Sequence, residues 1–277
     1  MSIFDKSSQQ HTSTEIQCYA RVESKKYKGV FIHVPKTAGT TMNVVFSSDN
    51  DVIVPNTPFL TDIMNNMNTR PLFTFQVSYV DYLKEIFGEE RYNSLFKFAF
   101  VRNPWDRYVS NWKYLTRLRK RPISNNTDPW ANRGFSGSAG NVTFAEFVEQ
   151  IDRIFDPDEK DLHSFRSGQW HHPGWNYDMW HMADQSKFLL DSSGTMAVDF
   201  VGRYENLEKD YEYVCKQLGI SPIDLPVLKK SQDPNVHYSS HYTPELYEII
   251  KKRCKADIDY FKYKFDDQAG ILPKKKK

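Results

Sequence analysis

Two short segments place cations, hydroxyls and a glycine where an apolar run gives way to a helical pattern. The first is Pro35-Lys36-Thr37-Ala38-Gly39-Thr40-Thr41, which follows the apolar run Gly29–Val34. A loop in that position turns backbone N–H groups toward an oxyanion, and the following helix adds positive potential at its N-terminus. Gly39 lets the backbone approach closely, Lys36 supplies a mobile cation, and Thr40 and Thr41 supply hydroxyls. The Walker A pattern does not fit, because the lysine precedes the glycine and no glycine opens the loop. An isolated Lys-Thr-x-Gly-Thr is equally a plain strand-to-helix turn. The case for an anion site therefore needs the second segment.

That second segment is Phe98-Ala99-Phe100-Val101-Arg102-Asn103-Pro104-Trp105-Asp106-Arg107-Tyr108-Val109-Ser110. It is again an apolar run meeting a helix start, with Asn103 as N-cap and Pro104 at the first helical position. Ser110 lies about two turns beyond Asn103, so it shares a face with the helix start. An arginine fork and a serine hydroxyl on one side suit a phosphate monoester. The competing structural reading pairs the arginines with carboxylates such as Asp106, a role expected for Arg107 and not for Arg102. In P-loop NTPases the comparable strand ends in an aspartate that helps hold Mg²⁺. Here it ends in Arg102, which points to a nucleotide held by cations and hydroxyls without an obligatory metal. Two anion sites at adjacent strand ends fit a nucleotide phosphorylated at both its 5′ and 3′ positions.

The elements that must carry these residues alternate along the chain. Strands are expected at Gly29–Val34, Leu72–Val77 and Phe96–Val101. Helices are expected over 40–46, over 80–87 behind Ser78, and from Pro104 to about Leu118. Thr143-Phe144-Ala145-Glu146 forms a capping box before another helix. Two strand-like runs, Phe188–Leu190 and Ala197–Val201, flank a turn at 191–194. Late helices run over 205–218, stopped by Gly219, and from Pro244 to about Lys255, capped by Thr243. Strand–helix alternation predicts a single α/β domain with a central, mainly parallel sheet flanked by helices. The polar lead-in covers 1–28, the domain 29–265 and the C-terminal tail 266–277.

Composition narrows the classes. The 277 residues carry a net charge of +2 from 37 basic and 35 acidic side chains, so no bulk basic excess invites nucleic acid. The cysteines Cys18, Cys215 and Cys254 are odd in number and far apart, with neither metal-ligand nor disulfide-framework spacing. No run reaches the ~18 apolar residues that span a bilayer, and the first residues lack the order of a signal peptide. The expectation from these features is a soluble, cytoplasmic protein with no membrane segment and no metal site.

The two motifs match a known family. PKTAGTT resembles the 5′-phosphosulfate loop of PAPS-dependent sulfotransferases (PAPS is 3′-phosphoadenosine 5′-phosphosulfate), and FVRNPWDRYVS resembles their 3′-phosphate motif. The closer likeness is to the carbohydrate-type branch and its bacterial relatives. Val198–Leu207, the His237–Tyr242 loop and Asp257–Phe261 extend it over about residues 29–265. The resemblance implies a P-loop-like fold. It implies that Pro35, Lys36, Thr37, Ala38, Gly39, Thr40 and Thr41 hold the 5′-phosphosulfate, and that Arg102 and Ser110 hold the 3′-phosphate. It further implies in-line transfer of a sulfuryl group to a hydroxyl or amine of a carbohydrate or small molecule. PAP (adenosine 3′,5′-bisphosphate) is then released, and Lys36 stabilises the charge on the departing oxygen.

The general base does not carry over. Many relatives bear a histidine near the place occupied here by Gln76, and glutamine cannot act as a base. The expectation moves to His171 or His172, in Gln169-Trp170-His171-His172-Pro173-Gly174-Trp175, an aromatic segment suited to lining an acceptor pocket. His163, His181, His237, His241 and an unassigned carboxylate stay open as alternatives, while His33 reads as structural. The competing functions are a P-loop kinase or nucleotide hydrolase and a catalytically silent nucleotide-binding protein. Acceptor identity and oligomeric state are not legible.

Overall fold

The computed structural model describes residues 27–47, 52–53, 79–119, 142–154, 181–226 and 236–273. Among them, four strands form one all-parallel sheet in the order β2-β1-β3-β4. These are β1 (Gly29–Ile32), β2 (Val52–Ile53), β3 (Phe96–Val101) and β4 (Phe200–Arg203). The two central strands are nearly continuous apolar runs because both of their faces are covered.

Side-chain alternation divides the core. Val30, Ile32, Ala99 and Val101 point to one face, where helices α2 (Tyr79–Phe87) and α3 (Glu89–Ser94) contribute Val80, Leu83, Phe87 and Tyr92. Phe31, Phe98 and Phe100 point to the other. There α1 (Gly39–Ser47) supplies Met42, Val45 and Phe46, and α6 (Leu207–Leu218) supplies Tyr211, Val214, Cys215 and Leu218. Gly202 leaves room for this packing, since a Cβ there would stand 2.6 Å from the Phe100 ring. A third cluster lies off the sheet, between α4 (Pro104–Arg119), α5 (Phe144–Ile154) and α7 (Pro244–Arg253). The expected α/β fold with a parallel sheet and flanking helices is the observed one.

Several end signals act as the sequence dictates. Asn103 Oδ1 accepts from the Trp105 amide at 3.2 Å. The Thr143–Glu146 box closes in both directions, at 2.7 and 3.2 Å. Thr243 accepts from the Leu246 amide, and Gly219 ends α6 in the left-handed region at φ 67°.

Four differences have physical causes. Phe188–Leu190 is not a strand: Gln185–Phe188 is a 3-10 turn, with a single antiparallel bridge from Leu190 to Met196. Asp257 imposes this by accepting from the Gln185 and Ser186 amides at 2.7 and 2.9 Å, which bends the backbone. The helix expected from Glu205 opens as a 3-10 turn, Tyr204–Asn206, before α6. The last helix is interrupted at Cys254 (φ −100°, ψ 23°), which ends α7 and precedes α8 (Lys255–Phe261). Strand β2 carried too little pattern, at two residues, to be anticipated. The expected strand Leu72–Val77 lies outside the described residues, and no helix among those described is long and apolar enough to cross a membrane.

Candidate functional site

Parallel pairing sets the site. Ile32 is in register with Ala99, and Val101 with Arg203, so the residues leaving β1, β3 and β4 emerge side by side at one sheet edge. Such C-terminal strand ends are where open α/β sheets bind ligands. The loop from His33 to Ala38, then Arg102, then Tyr204 occupy this edge.

The loop is wound tightly. Lys36 and Ala38 both have positive φ, 69° and 75°, in a region that L side chains rarely adopt. Residues in such conformations next to right-handed ones turn successive amides inward and form an anion-binding concavity. The first bond of α1 runs from the Met42 amide to the Ala38 carbonyl at 3.0 Å, so Gly39, Thr40 and Thr41 form its opening turn. A Cβ at Gly39 would overlap the His33 ring, which itself stacks on Phe31 at 5.8 Å. His33 therefore packs under the loop. Thr37 is fully buried and its hydroxyl donates to the Val34 carbonyl at 2.8 Å, which ties the loop to β1. Thr40 is exposed and Thr41 half-buried, while Pro35 is buried.

Helix α4 grips the loop from beneath. Arg107, 1% exposed, donates to the carbonyls of Pro35 at 3.0 Å, Ala183 at 2.8 Å and His181 at 2.9 Å. Burial lowers its pKa from the ordinary value, opposed chiefly by attraction to Asp257. A guanidinium remains charged under such a shift because it starts so high. Asp257, itself fully buried, has its pKa raised by desolvation, with Asp184 adding to the rise.

Arg102 stands at the C-terminal end of β3. Gln185 clamps its backbone, accepting from the Arg102 amide and donating to its carbonyl, both at 2.8 Å. Its Nε donates to Asp106 at 2.7 Å, its Nη1 reaches the Lys36 carbonyl at 3.4 Å, and its Cζ lies 3.9 Å from the centre of the Tyr204 ring. Burial opposes the charge, but the attraction and hydrogen bond of Asp106 raise the pKa above the ordinary value. Its Nη2 has no hydrogen-bond partner among the described residues. The expected assignment of the two arginines is thus reversed in part. Arg102 has the carboxylate partner, Asp106, whereas Arg107 binds main-chain carbonyls. Arg102 leaves β3 just ahead of α4, so the first-turn residue Asp106 comes back beside it, whereas Arg107 is buried against main chain.

The same face continues upward. Asp106, Ser110 and Tyr114 succeed one another every four residues, so they form one ridge along α4. The Ser110 hydroxyl is half-buried and makes no hydrogen bond among the described residues. The Lys36 ammonium sits 3.8 Å above the Tyr114 ring. Lys36, Arg102 and the α4 ridge bearing Ser110 are therefore brought together, with Thr37, Ala38 and Gly39 forming the loop between. His171 and His172 lie outside the described residues, as do His163 and Gln76. Of the other histidines, His181 stacks on Tyr114 at 5.8 Å. His237 bonds to Ser239 and faces Asp266 at 3.4 Å.

Sequence reasoning missed the supports Gln185, Asp257, Tyr204 and Tyr114. Tyr204 and Asp257 lie in the stretches Val198–Leu207 and Asp257–Phe261 that resemble the family, Tyr114 shows the four-residue spacing from Ser110, and Gln185 left no signal. Among the described residues, no group of three or more His, Cys, Asp or Glu side chains could hold a metal ion.

Comparison with known proteins identifies the family. Residues 21–264 match the family model described as "Sulfotransferase family". Carbohydrate sulfotransferase 11 of Rattus norvegicus is 26% identical over 184 residues, 58% of this chain and 46% of the rat protein. The Mus musculus protein of the same name matches to the same extent. An uncharacterized protein of Archaeoglobus fulgidus is 26% identical over 140 residues, half of this chain and 80% of its own length. The chain thus spans about half the length of the mammalian relatives. No solved structure matches. With the family model covering most of its length, the chain belongs to the sulfotransferase family.

Proposed function

We propose that this chain transfers a sulfuryl group from PAPS to a hydroxyl or amine of a carbohydrate or small-molecule acceptor. The observation that carries the reading is the meeting of the Lys36 loop and Arg102 at adjacent parallel strand ends, with Arg102 Nη1 on the Lys36 carbonyl. The donor fits the residues present: a loop with two positive-φ residues for one anion, and Arg102, whose Nη2 makes no hydrogen bond among the described residues, with half-buried Ser110 for another. Pro35, Lys36, Thr37, Ala38, Gly39, Thr40 and Thr41 would hold the 5′-phosphosulfate. Of these, Thr37 offers main chain only, since its hydroxyl is turned inward. Arg102 and Ser110 would hold the 3′-phosphate, and PAP is the product.

Bound PAPS supplies a sulfuryl group attached to a nucleotide leaving group. Lys36 holds a positive charge where negative charge grows on the departing oxygen, which favours the transition state over the ground state. Arg102 and Ser110 orient the nucleotide so that the loop meets the reacting end. His171 or His172 takes the acceptor's proton, and a rate that rises through neutral pH would support that role.

The test is transfer of radiolabelled sulfate from PAPS across carbohydrate, alcohol and amine acceptors. Wild type is expected to label at least one class. Lys36→Ala is expected to lose about 100-fold or more of that rate while remaining folded. Near-normal turnover in the variant would contradict the mechanism.

A further inference from the structure

Lys36 is a flexible side chain assigned a task that needs one position. Its loop conformation fixes the main chain, through φ 69° and the Arg102 contact to its carbonyl. Four rotatable bonds still separate that backbone from the ammonium. The head group stands over the Tyr114 ring, 3.8 Å from its centre, one turn beyond Ser110 on the ridge that faces the loop. The ring is itself fixed. It stacks against the His181 ring at an interplanar angle of 23°, and the His181 carbonyl is held by Arg107. Arg107 also holds the loop at Pro35, so one buried guanidinium locks both the loop and the support of the ring.

We infer that Tyr114 is a positioning residue for Lys36, and that its aromatic face sets where the ammonium stands relative to the 5′-phosphosulfate. The inference rests on the donor reading above. A cation over a ring face uses that face alone, and an ammonium has three N–H groups. Lys36 can therefore remain on Tyr114 while donating to a donor oxygen. A half-buried contact of this kind corresponds to about 3- to 30-fold in an equilibrium. Tyr114 is half-buried, so an effect near the lower part of that range is expected.

The test isolates the 5′-phosphate. Calorimetry gives the affinities of PAP and of adenosine 3′-monophosphate, and their ratio reports what the 5′-phosphate adds. Tyr114→Leu is expected to lower that ratio about 5-fold while leaving the 3′-monophosphate affinity unchanged. Tyr114→Phe, which keeps the ring, should stay within about 2-fold of wild type. In a Lys36→Ala background, Tyr114→Leu should have no further effect on the ratio, because the ring would have nothing left to position. Thermal unfolding checks that each variant is folded, and Tyr114→Met provides a second ringless variant if the leucine form does not fold. The inference is overturned if the ratio is unchanged in the ringless variants. It is equally overturned if the ratio falls as much without Lys36, or if phenylalanine behaves like leucine. If wild type binds both nucleotides and the cycle is additive, Tyr114 alone is misassigned. If wild type binds neither, the donor reading is wrong and this inference goes with it.

Discussion

Replacing Arg107 by methionine separates a scaffold from a ligand-binding residue. Methionine keeps most of the stem's volume and removes the guanidinium, stranding the carbonyls of Pro35, Ala183 and His181. Each hydrogen bond to a charged group contributes roughly 1.5–3 kcal/mol. The gain is offset by the cost of burying the guanidinium, which is 1% exposed. Leaving buried carbonyls unsatisfied costs about 1–3 kcal/mol each, and after that offset a destabilisation of roughly 3–5 kcal/mol is expected here. Arg107→Lys restores the charge but reaches fewer of the three carbonyls, so it should recover only part of the loss. Urea unfolding is the assay, with an unchanged m-value showing that the same structure unfolds. Because the Pro35 carbonyl anchors the loop, PAP affinity should fall along with stability. A destabilisation below about 1 kcal/mol in Arg107→Met would refute the reasoning. Normal stability with abolished PAP binding would refute it more sharply, by making Arg107 a ligand contact.

Two further outcomes follow from strain and from burial. Ala38 holds φ 75°, a conformation costing about 1–2 kcal/mol for a residue with a Cβ. Ala38→Gly should raise stability by about 0.5–1 kcal/mol in urea unfolding, after the entropy glycine gains when unfolded; a loss of that size would contradict the strained geometry. Burial pushes the Cys254 thiol up to about 12, above its ordinary value of 9.0. With the folded pKa above the unfolded one, this contribution is complete below about pH 9 and is lost as pH rises toward 12. Cys254 alone should remove about 2–3 kcal/mol of stability by about pH 11. Cys254→Ala should lose that much less between about pH 8 and 11 in paired denaturation curves, and parallel curves would contradict it. Buried Tyr108 and Tyr242, also raised by desolvation, act in the same direction and leave a residual slope.

The parts of the site legible in the sequence are those built from local chemistry. Asn103-Pro104, the Thr143–Glu146 box, Thr243 and Gly219 each act within a turn of their own position, so their spacing states their geometry. The apolar runs of β1 and β3 read as strands because both faces are buried. Long-range supports left no such trace. Gln185 clamps Arg102 from 83 residues away, and Asp257 fixes Gln185 from 72 residues away. Asp257 opens a stretch that resembles the family, Asp257–Phe261, but nothing local states its contact, and nothing marks Gln185. The same two contacts explain why Phe188–Leu190 reads as a strand and folds otherwise. Its apolar pattern is satisfied by burial of Phe188 and Leu189, while Asp257 decides the backbone. The inversion between Arg102 and Arg107 has a similar origin. Which arginine meets a carboxylate depends on helix phase, whereas which meets main-chain carbonyls depends on segments that arrive from elsewhere in the chain.

The most direct test of the account is calorimetric titration with PAP, alongside adenosine 5′-monophosphate and ATP with and without Mg²⁺. The account predicts tight binding of PAP that needs no metal and requires the 3′-phosphate. It also predicts weakening by about 10- to 100-fold in Arg102→Ala, the loss of a charged hydrogen bond to the phosphate. Preference for Mg·ATP, or no binding of nucleotide by the folded protein, would contradict it.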